Sequence, residues 1–329
     1  MRRALVIGID KYPTAMLAGC ENDAVAIANT LERNGDGSPN FSIKLITSDS
    51  CDVNSAVILS ALEDLFKGDA ETVLFYFAGH GIINESTNAG YIVSQDGKKG
   101  SWGIPLSEIL SMANAAYPRI KSTVIILDSC NSGYVGEVAG LNNDQVSVIG
   151  SGVTILTACH REGVAGEVNG HGLFTTILLD GLSGASADIC GRITPASVYS
   201  HIDQTLGPWE QRPVYKANVQ TFVTLRNVQP KVPLEVLRRL PTYFKHPTDH
   251  FKLDPSFEPD RINIPENLRN IPVNDDNTRI FKELQVCNRY GLIVPVDAEH
   301  MYYAAINSTA CKLTGLGAHY RKLAEMDRI

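Results

Sequence analysis

Short runs of apolar and β-branched residues recur along the first 225 residues of the chain, and segments of helical periodicity separate them. Apolar runs of this length are typical of strands that are buried on both faces, as in a parallel sheet. The predicted strands are residues 4–9, 42–46, 72–78, 123–128 and 153–158. The alternation predicts an α/β fold, in which a mainly parallel central sheet is covered by helices on both sides.

The segments between these strands carry the spacing and the stop signals of amphipathic helices. In the segment 54–67, for example, Val57, Ile58, Ala61, Leu62 and Leu65 share one face, and Gly68 ends the pattern. The predicted helices are residues 22–34, 54–67, 105–116 and 172–182. They account for the two layers that cover the predicted sheet.

The pattern changes after Leu225. Eight of the sixteen prolines lie between Pro230 and Pro272, and this density predicts an extended connector over residues 227–275. Residues 276–329 are predicted to form a small, mostly helical module, with helices at 278–290, 298–307 and 314–326 and a short strand at 292–296. Two readings stay open for this module: a winged-helix-like unit that binds a partner or nucleic acid, and a helical cap used for packing or oligomerisation.

Composition narrows the choice of function. The formal net charge of −7 argues against a nucleic-acid partner, which favours a basic face. No apolar run approaches the roughly 18–20 residues of a membrane span, so we expect no membrane association. The seven cysteines form no C-x-x-C pair, so neither a disulfide framework nor a zinc site is indicated, and a cytoplasmic location fits best.

Two polar loops follow the third and fourth predicted strands, where reactive groups collect in open α/β sheets. The first contains His80 between two glycines, and the second contains Cys130. A histidine can keep a cysteine sulfur as thiolate and later protonate a leaving group. Each residue alone is more often a buried structural side chain, but their shared placement predicts a nucleophile and its base.

Four ordered sequence blocks resemble the caspase-like cysteine peptidases of clan CD, in particular the metacaspases and bacterial caspase homologues. The blocks are a buried strand ending in Ala-Gly-His-Gly at 72–81, an Asp-Ser-Cys-x-Ser-Gly at 128–133, a Leu-x-Gly-Cys-x-Asn-Asp-Ala at 17–24, and a Gly-Leu-Phe-Thr segment that begins at 172. The second block departs from the Gln-Ala-Cys-x-Gly of animal caspases. The resemblance implies a peptidase domain over residues 1–226, with a large-subunit-like part at 1–135 and a small-subunit-like part at 152–226.

The resemblance also implies a mechanism and a specificity. Cys130 attacks the scissile carbonyl, His80 protonates the departing amine, and the N–H groups of Gly81 and Cys130 form the oxyanion hole. In the metacaspase pattern, Asp23, Asp128 and Cys20 line the S1 pocket, which holds the residue before the cut. Two carboxylates there favour Arg or Lys. The alternatives are that Asp23 complements a helix N-terminus, that Asp128 is a turn residue and that Cys20, instead of forming a wall of the pocket, is an ordinary buried cysteine.

Activation and cofactors are predicted from charge. The segment 134–152 contains no Lys or Arg, so an Arg/Lys-specific enzyme cannot cut itself there. Cleavage at Lys98-Lys99 or Arg238-Arg239, an upstream protease or a regulatory partner would have to activate it. The segment 102–108 holds one carboxylate, and calcium requires six to eight oxygen ligands, so we expect no cofactor and no calcium dependence.

By resemblance, the expected role is cleavage of proteins at basic sites in a bacterial defence or cell-death pathway. The alternative function is a catalytically silent caspase-like scaffold that acts through its C-terminal module. A dinucleotide-binding enzyme is disfavoured, because no G-x-G-x-x-G follows the first predicted strand.

Overall fold

The computed structural model describes residues 1–84, 89–129, 149–158, 167–168, 170–207, 212–260 and 264–329. The chain divides into two compact units. The first unit comprises residues 1–187 and 192–228, and the second comprises residues 188–191 and 229–329.

Strands and helices alternate in the first unit. Its strands are β1 (Arg2–Gly8), β2 (Ser42–Thr47), β3 (Ala70–Ala78), β4 (Gly81–Asn84), β5 (Ala89–Lys98), β6 (Ser101–Pro105), β7 (Ile120–Asp128), β8 (Val153–Thr157), β9 (Glu167–Val168), β10 (His171–Gly172), β11 (Arg192–Ile193), β12 (Val214–Asn218) and β13 (Arg226–Asn227). Its helices are α1 (Cys20–Glu32), α2 (Ser55–Phe66), α3 (Leu106–Ala116), α4 (Leu173–Asp180), which continues into a π-helical turn, and α5 (Pro195–Thr205).

Six of these strands form the central sheet, in the order β12-β8-β7-β3-β1-β2. All neighbouring pairs are parallel except β12 and β8, which are antiparallel. The register places Gly8, Ala78 and Asp128 side by side at the carboxyl ends of β1, β3 and β7. The predicted mainly parallel sheet is confirmed, and all five predicted strands belong to it.

Apolar side chains on both faces of the sheet hold the helical layers. On β3, Phe75 and Phe77 pack in a cluster with residues of α2 and α3. Leu74 and Tyr76, on the opposite face, pack in a cluster with residues of α1, α4 and α5. Because successive side chains of a strand point to opposite faces, one continuous apolar run supplies both cores. The predicted α/β/α sandwich is confirmed.

A second, antiparallel sheet of β4, β5 and β6 follows directly after His80. The apolar pattern does not predict it, because β4 and β6 are short and the residues of all three strands are largely half-buried. Its β5–β6 hairpin ends in an exposed turn at Lys99 and Gly100, between paired residues Lys98 and Ser101.

The second unit combines helices with a small sheet. Its elements are α6 (Leu234–Tyr243), β14 (His250–Lys252), α7 (Asp275–Arg289), β15 (Ile293–Val296), α8 (Met301–Ile306), β16 (Ala310–Leu313) and α9 (Gly315–Glu325), with 3₁₀ turns at Pro255–Phe257 and Glu266–Leu268. The three strands pair antiparallel in the order β14-β16-β15. The three predicted helices and the predicted strand at 292–296 are present as α7, α8, α9 and β15, whereas β14 and β16 are additions to the prediction.

The prediction of an unpacked connector over residues 227–275 is wrong. Helix α6 lies inside this segment, and its Leu237 and Leu240 are fully buried in the core of the second unit together with Phe244. The prolines were misread because proline also suits the start of a helix. Pro233 directly precedes α6, and Pro255 begins a 3₁₀ turn.

None of the helices in the described parts of the chain has both the length and the apolar character that a membrane span requires.

Candidate active site

His80 follows β3 in a tight turn that only glycine permits at the preceding position. A Cβ atom on Gly79 would lie 2.6 Å from the hydroxyl oxygen of Tyr12 and 2.8 Å from the ring of Phe77. These distances are well inside van der Waals contact, so Gly79 allows the chain to pass directly over Tyr12. The turn therefore fixes where the imidazole of His80 stands relative to the sheet.

The hydroxyl of Tyr12 is inserted into the backbone ladder between His80 and Val93. The N–H of Val93 donates to the carbonyl of His80 (2.9 Å). In the other direction, the N–H of His80 donates to the Tyr12 hydroxyl (3.0 Å), which donates to the carbonyl of Val93 (3.0 Å). Burial raises the pKa of Tyr12 far above its ordinary value, so the hydroxyl keeps the proton this bridge requires.

The hydrogen bonds of the His80 ring fix its tautomer. Nε2 lies 2.7 Å from the carbonyl oxygen of Ala15, and the ring of Tyr12 packs against the imidazole with centroids 4.6 Å apart. A carbonyl oxygen only accepts, so Nε2 carries the proton of the neutral ring. Nδ1 is then the nitrogen with a lone pair, able to take a proton from a nucleophile.

Gly81 begins β4 opposite Ile92 of β5. His80 and Val93 form the hydrogen-bonded pair one step away, so the pair of Gly81 and Ile92 is a non-hydrogen-bonded pair of the antiparallel ladder. The N–H of Gly81 therefore points away from β5. This orientation suits the predicted role of Gly81 in an oxyanion hole.

Helix α1 begins at the carboxyl edge of the sheet through a cap supplied by Asp10, two residues after β1 ends. The carboxylate of Asp10 accepts hydrogen bonds from the N–H groups of Cys20 (2.9 Å) and Glu21 (3.1 Å). The residue before the helix, Gly19, has no side chain to do so. This long-range cap holds the first turn of α1, which contains Cys20 and Asp23, against the end of β1.

Asp23 is nearly fully buried, and both of its oxygens are bonded. Oδ1 lies 2.7 Å from Nδ1 of His171, and Oδ2 accepts the N–H of Gly172 at 3.0 Å. Burial, helped by the charge of Asp128 and opposed by the bonds from Gly172 and His171, raises the pKa of Asp23 to about 6.

Asp128 lies at the end of β7, and its carboxylate, like that of Asp23, is close to Gly172. Its Oδ2 accepts a hydrogen bond from the hydroxyl of Thr175 (2.7 Å), which lies 2.6 Å from the hydroxyl of the buried Tyr76. A Cβ atom on Gly172 would be 3.0 Å from Oδ2 of Asp128 and 3.2 Å from Oδ2 of Asp23. The carboxylates of Asp23 and Asp128 therefore both lie next to Gly172.

Cys20 borders the same carboxylates. Burial, followed by the charges of Asp10, Asp128 and Asp23, raises the pKa of its thiol far above the ordinary value. Cys20 is thus held as an uncharged thiol, which fits a wall and not a nucleophile.

The structure brings Cys20, Asp23 and Asp128 together and places His80 and Gly81 after the neighbouring strand β3. Cys130 lies outside the described residues, as does most of the segment 134–152 in which self-cleavage was considered. Sequence reasoning missed Tyr12 and His171. His171 directly precedes the Gly-Leu-Phe-Thr block, so its position next to a matched motif was the available signal, whereas nothing local marks Tyr12.

A mainly parallel sheet between two helical layers, with a Gly-His-Gly turn after β3 and a pair of carboxylates from α1 and the end of β7, is typical of a caspase-like protein. The family model described as caspase domain, of peptidase family C14, matches residues 1–224. The chain therefore belongs to the caspase-domain family, which is a family of cysteine peptidases.

Among solved structures, the chain is similar to protein GSU0716 from Geobacter sulfurreducens at 15% sequence identity, over 70% of this chain and 97% of that protein, with a TM-score of 0.48. No protein with a curated function matches the chain.

Proposed function

We propose that the protein is a cysteine endopeptidase that cleaves after Arg or Lys, with Cys130 as nucleophile and His80 as acid–base group. The observation that carries the proposal is the bond of His80 Nε2 to the carbonyl of Ala15, which leaves Nδ1 free to act as a base. The sheet register supports the pairing, because Ala78 and Asp128 are neighbours and His80 and Cys130 each follow them by two residues.

The chemistry follows the usual course of a thiol peptidase. His80 takes the proton of the Cys130 thiol, and the thiolate attacks the scissile carbonyl carbon. The N–H groups of Gly81 and Cys130 stabilise the oxyanion of the tetrahedral intermediate. His80 then gives its proton to the departing amine, and water hydrolyses the thioester to release the acid and regenerate the thiol.

Two substitutions test the catalytic pair. Cys130→Ala and His80→Ala should abolish cleavage of arginyl fluorogenic peptides. Iodoacetamide should label Cys130 in the wild-type protein, and it should label Cys130 more slowly in His80→Ala. Cys51→Ala is the matched control, since Cys51 is an exposed cysteine far along the chain from either residue. If wild type and Cys130→Ala are equally inert on a peptide library, even after limited proteolysis, the scaffold function replaces the enzyme.

The preference for Arg or Lys rests on the two carboxylates beside Gly172. A cationic side chain gains charge-assisted hydrogen bonds from Asp23 and Asp128, whereas an aspartate side chain would add a third negative charge. Arginyl and lysyl peptides should be cleaved and aspartyl peptides should not, and the reverse order would refute the assignment. Addition of calcium or of a chelator should leave the rate unchanged.

By the same resemblance, we assign the protein a role in bacterial defence or cell death, triggered by cleavage or by a regulatory partner. Mapping of cleavage sites in a host lysate by mass spectrometry tests this role, which requires cuts after Arg or Lys in host proteins that depend on Cys130.

A further inference from the structure

Two consecutive residues, His171 and Gly172, use both oxygens of the Asp23 carboxylate. The imidazole Nδ1 of His171 is 2.7 Å from Oδ1, and the N–H of Gly172 is 3.0 Å from Oδ2. The Asp23 side chain is only 3% exposed, whereas that of His171 is 34% exposed. The histidine therefore stands between this carboxylate and the solvent.

A substrate arginine would need the same oxygens. A guanidinium binds a carboxylate best through two parallel N–H···O bonds, and the imidazole of His171 on Oδ1 competes with one of these two bonds. Of the two partners, the Gly172 N–H belongs to the main chain next to α4. The imidazole of His171 is the one that can leave by rotation of a half-exposed side chain.

The second carboxylate, Asp128, has one oxygen bonded to a buried side chain. Its Oδ2 accepts a hydrogen bond from the hydroxyl of Thr175, a buried residue of α4. The same hydroxyl is hydrogen-bonded to that of Tyr76, a buried residue of β3. The Asp23 carboxylate is covered by a partly exposed side chain that can rotate away.

We propose that His171 is a specificity-determining residue that competes with the basic side chain of the substrate for Asp23. The inference rests on the proposed function, since it concerns the S1 pocket of the same site. It makes the pocket selective for side chains that bind Asp23 strongly enough to displace an imidazole, which favours arginine with its two-pronged guanidinium over lysine.

Three variants of the full chain test the competition through steady-state kinetics with arginyl peptides. His171→Ala removes the competitor, so KM should fall by about tenfold with kcat unchanged, which is the size expected for one hydrogen bond to a charged group. His171→Asn places an amide N–H near the position of Nδ1, so its KM should remain close to that of the wild type. His201→Ala is the matched control, because it removes a similar contact between His201 and Asp180 (3.0 Å) at α4 and α5.

The direction of the change decides the outcome. If His171 only supports Asp23, its removal raises KM or leaves KM unchanged, and either result overturns the proposal. A binding measurement keeps the inference separate from the enzymatic activity. Agmatine, which carries a guanidinium group, should bind His171→Ala about tenfold more tightly than the wild type in a Cys130→Ala background.

If no peptide is cleaved by any variant, the proposed function fails while the agmatine experiment still decides the inference. Equal or weaker agmatine binding in the His171→Ala variant overturns it. Tighter binding that also appears in the His201→Ala control overturns it as well, because the effect would then not belong to S1.

Discussion

Burial disfavours the charged form of Asp23, so we expect the proposed S1 pocket to be sensitive to pH. The pKa of Asp23 is raised from the ordinary 3.8 to about 6, first by burial. Below about pH 6, Asp23 becomes protonated and S1 loses one of its two negative charges. We expect KM for arginyl peptides to rise as the pH falls from about 7 to about 5, and this step in KM should be absent in Asp23→Asn.

The stability linked to Asp23 changes with pH in the opposite sense to this step, so the Asp23 contribution to unfolding does not produce it. The folded protein binds the proton with a pKa of about 6 and the unfolded chain with the ordinary 3.8. The contribution of Asp23 to the free energy of unfolding is therefore full below about pH 4 and is lost as the pH rises through 6. Urea denaturation of the wild type and Asp23→Asn at both pH values measures this difference. A KM that is flat with pH in both proteins contradicts the assignment.

We expect the Tyr12 hydroxyl to support the proposed catalysis indirectly, through the backbone of His80. In Tyr12→Phe, the N–H of His80 and the carbonyl of Val93 lose their bridge in a buried place, which should cost about 1–3 kcal/mol in the free energy of unfolding. The backbone of His80 loses this anchor as well, which loosens the placement of the imidazole, so kcat should fall by about tenfold with little change in KM. Tyr199→Phe is the control, because Tyr199 has a ring partner in Tyr215 but its hydroxyl has no hydrogen bond among the described residues. Equal effects of the two variants would remove Tyr12 from a positioning role.

Sequence alone could place His80, Asp23 and Asp128 because each stands in a short block of recognisable order. It could not place Tyr12 or His171. Tyr12 reaches His80 across 68 positions and His171 reaches Asp23 across 148, and contacts of this range depend on how the strands are ordered in the sheet. Residues within a short sequence motif can therefore be predicted from the sequence. The side chains that contact them from distant parts of the chain cannot.

At the scale of elements, the structure separates the two basic pairs that could be cut during activation. Lys98-Lys99 lies at the exposed tip of the β5–β6 hairpin, next to the turn at Gly100. Arg238-Arg239 lies within α6, where Arg239 forms two bonds to Glu283 (2.7 and 2.9 Å) and Arg238 binds the carbonyl of Ile329 (3.0 Å). Proteases act on exposed chain ends and loop tips more readily than on helices.

We therefore expect cleavage after Lys98 or Lys99 to precede cleavage after Arg238 or Arg239. Limited trypsin digestion with mass spectrometry measures the order. Concentrated wild-type protein should produce the same hairpin cut, and Cys130→Ala should not. The replacement of both lysines by glutamine should prevent it, and the replacement of both arginines should not. A first cut inside α6 would contradict the expectation.

In most of the strands that the sequence predicted, nearly every side chain is buried. Strands β3 and β7 are covered on both faces, so they appear as unbroken apolar runs. Helix α5 was overlooked although Thr194 and Ser197 form a capping box and Pro195 begins the helix, because its apolar positions are few. In the segment 227–275, the prolines hid α6 because the same residue serves both extended chain and helix starts.

At the scale of the whole molecule, the chain passes briefly from the first unit into the second and back again. Residues 188–191 belong to the second unit although residues on both sides belong to the first. Ile189 packs in the core of the second unit, its N–H donates to the hydroxyl of Tyr320 (3.2 Å), and its carbonyl accepts the N–H of Lys231 (3.0 Å). Four residues later, Ile193 is fully buried in the core of the first unit.

Because Ile189 and Ile193 are buried in different units, they are a matched pair of probes for the stability of the two units. Each loses a buried side chain when changed to alanine, which typically costs about 2–5 kcal/mol. Ile189→Ala should speed amide hydrogen exchange in α9 and leave β3 unchanged, because a core defect first lowers the stability of the unit that contains it. Ile193→Ala should have the opposite effect. If either variant speeds exchange equally in α9 and β3, the units unfold together, and the assignment of residues 188–191 to a separately stable second unit is wrong.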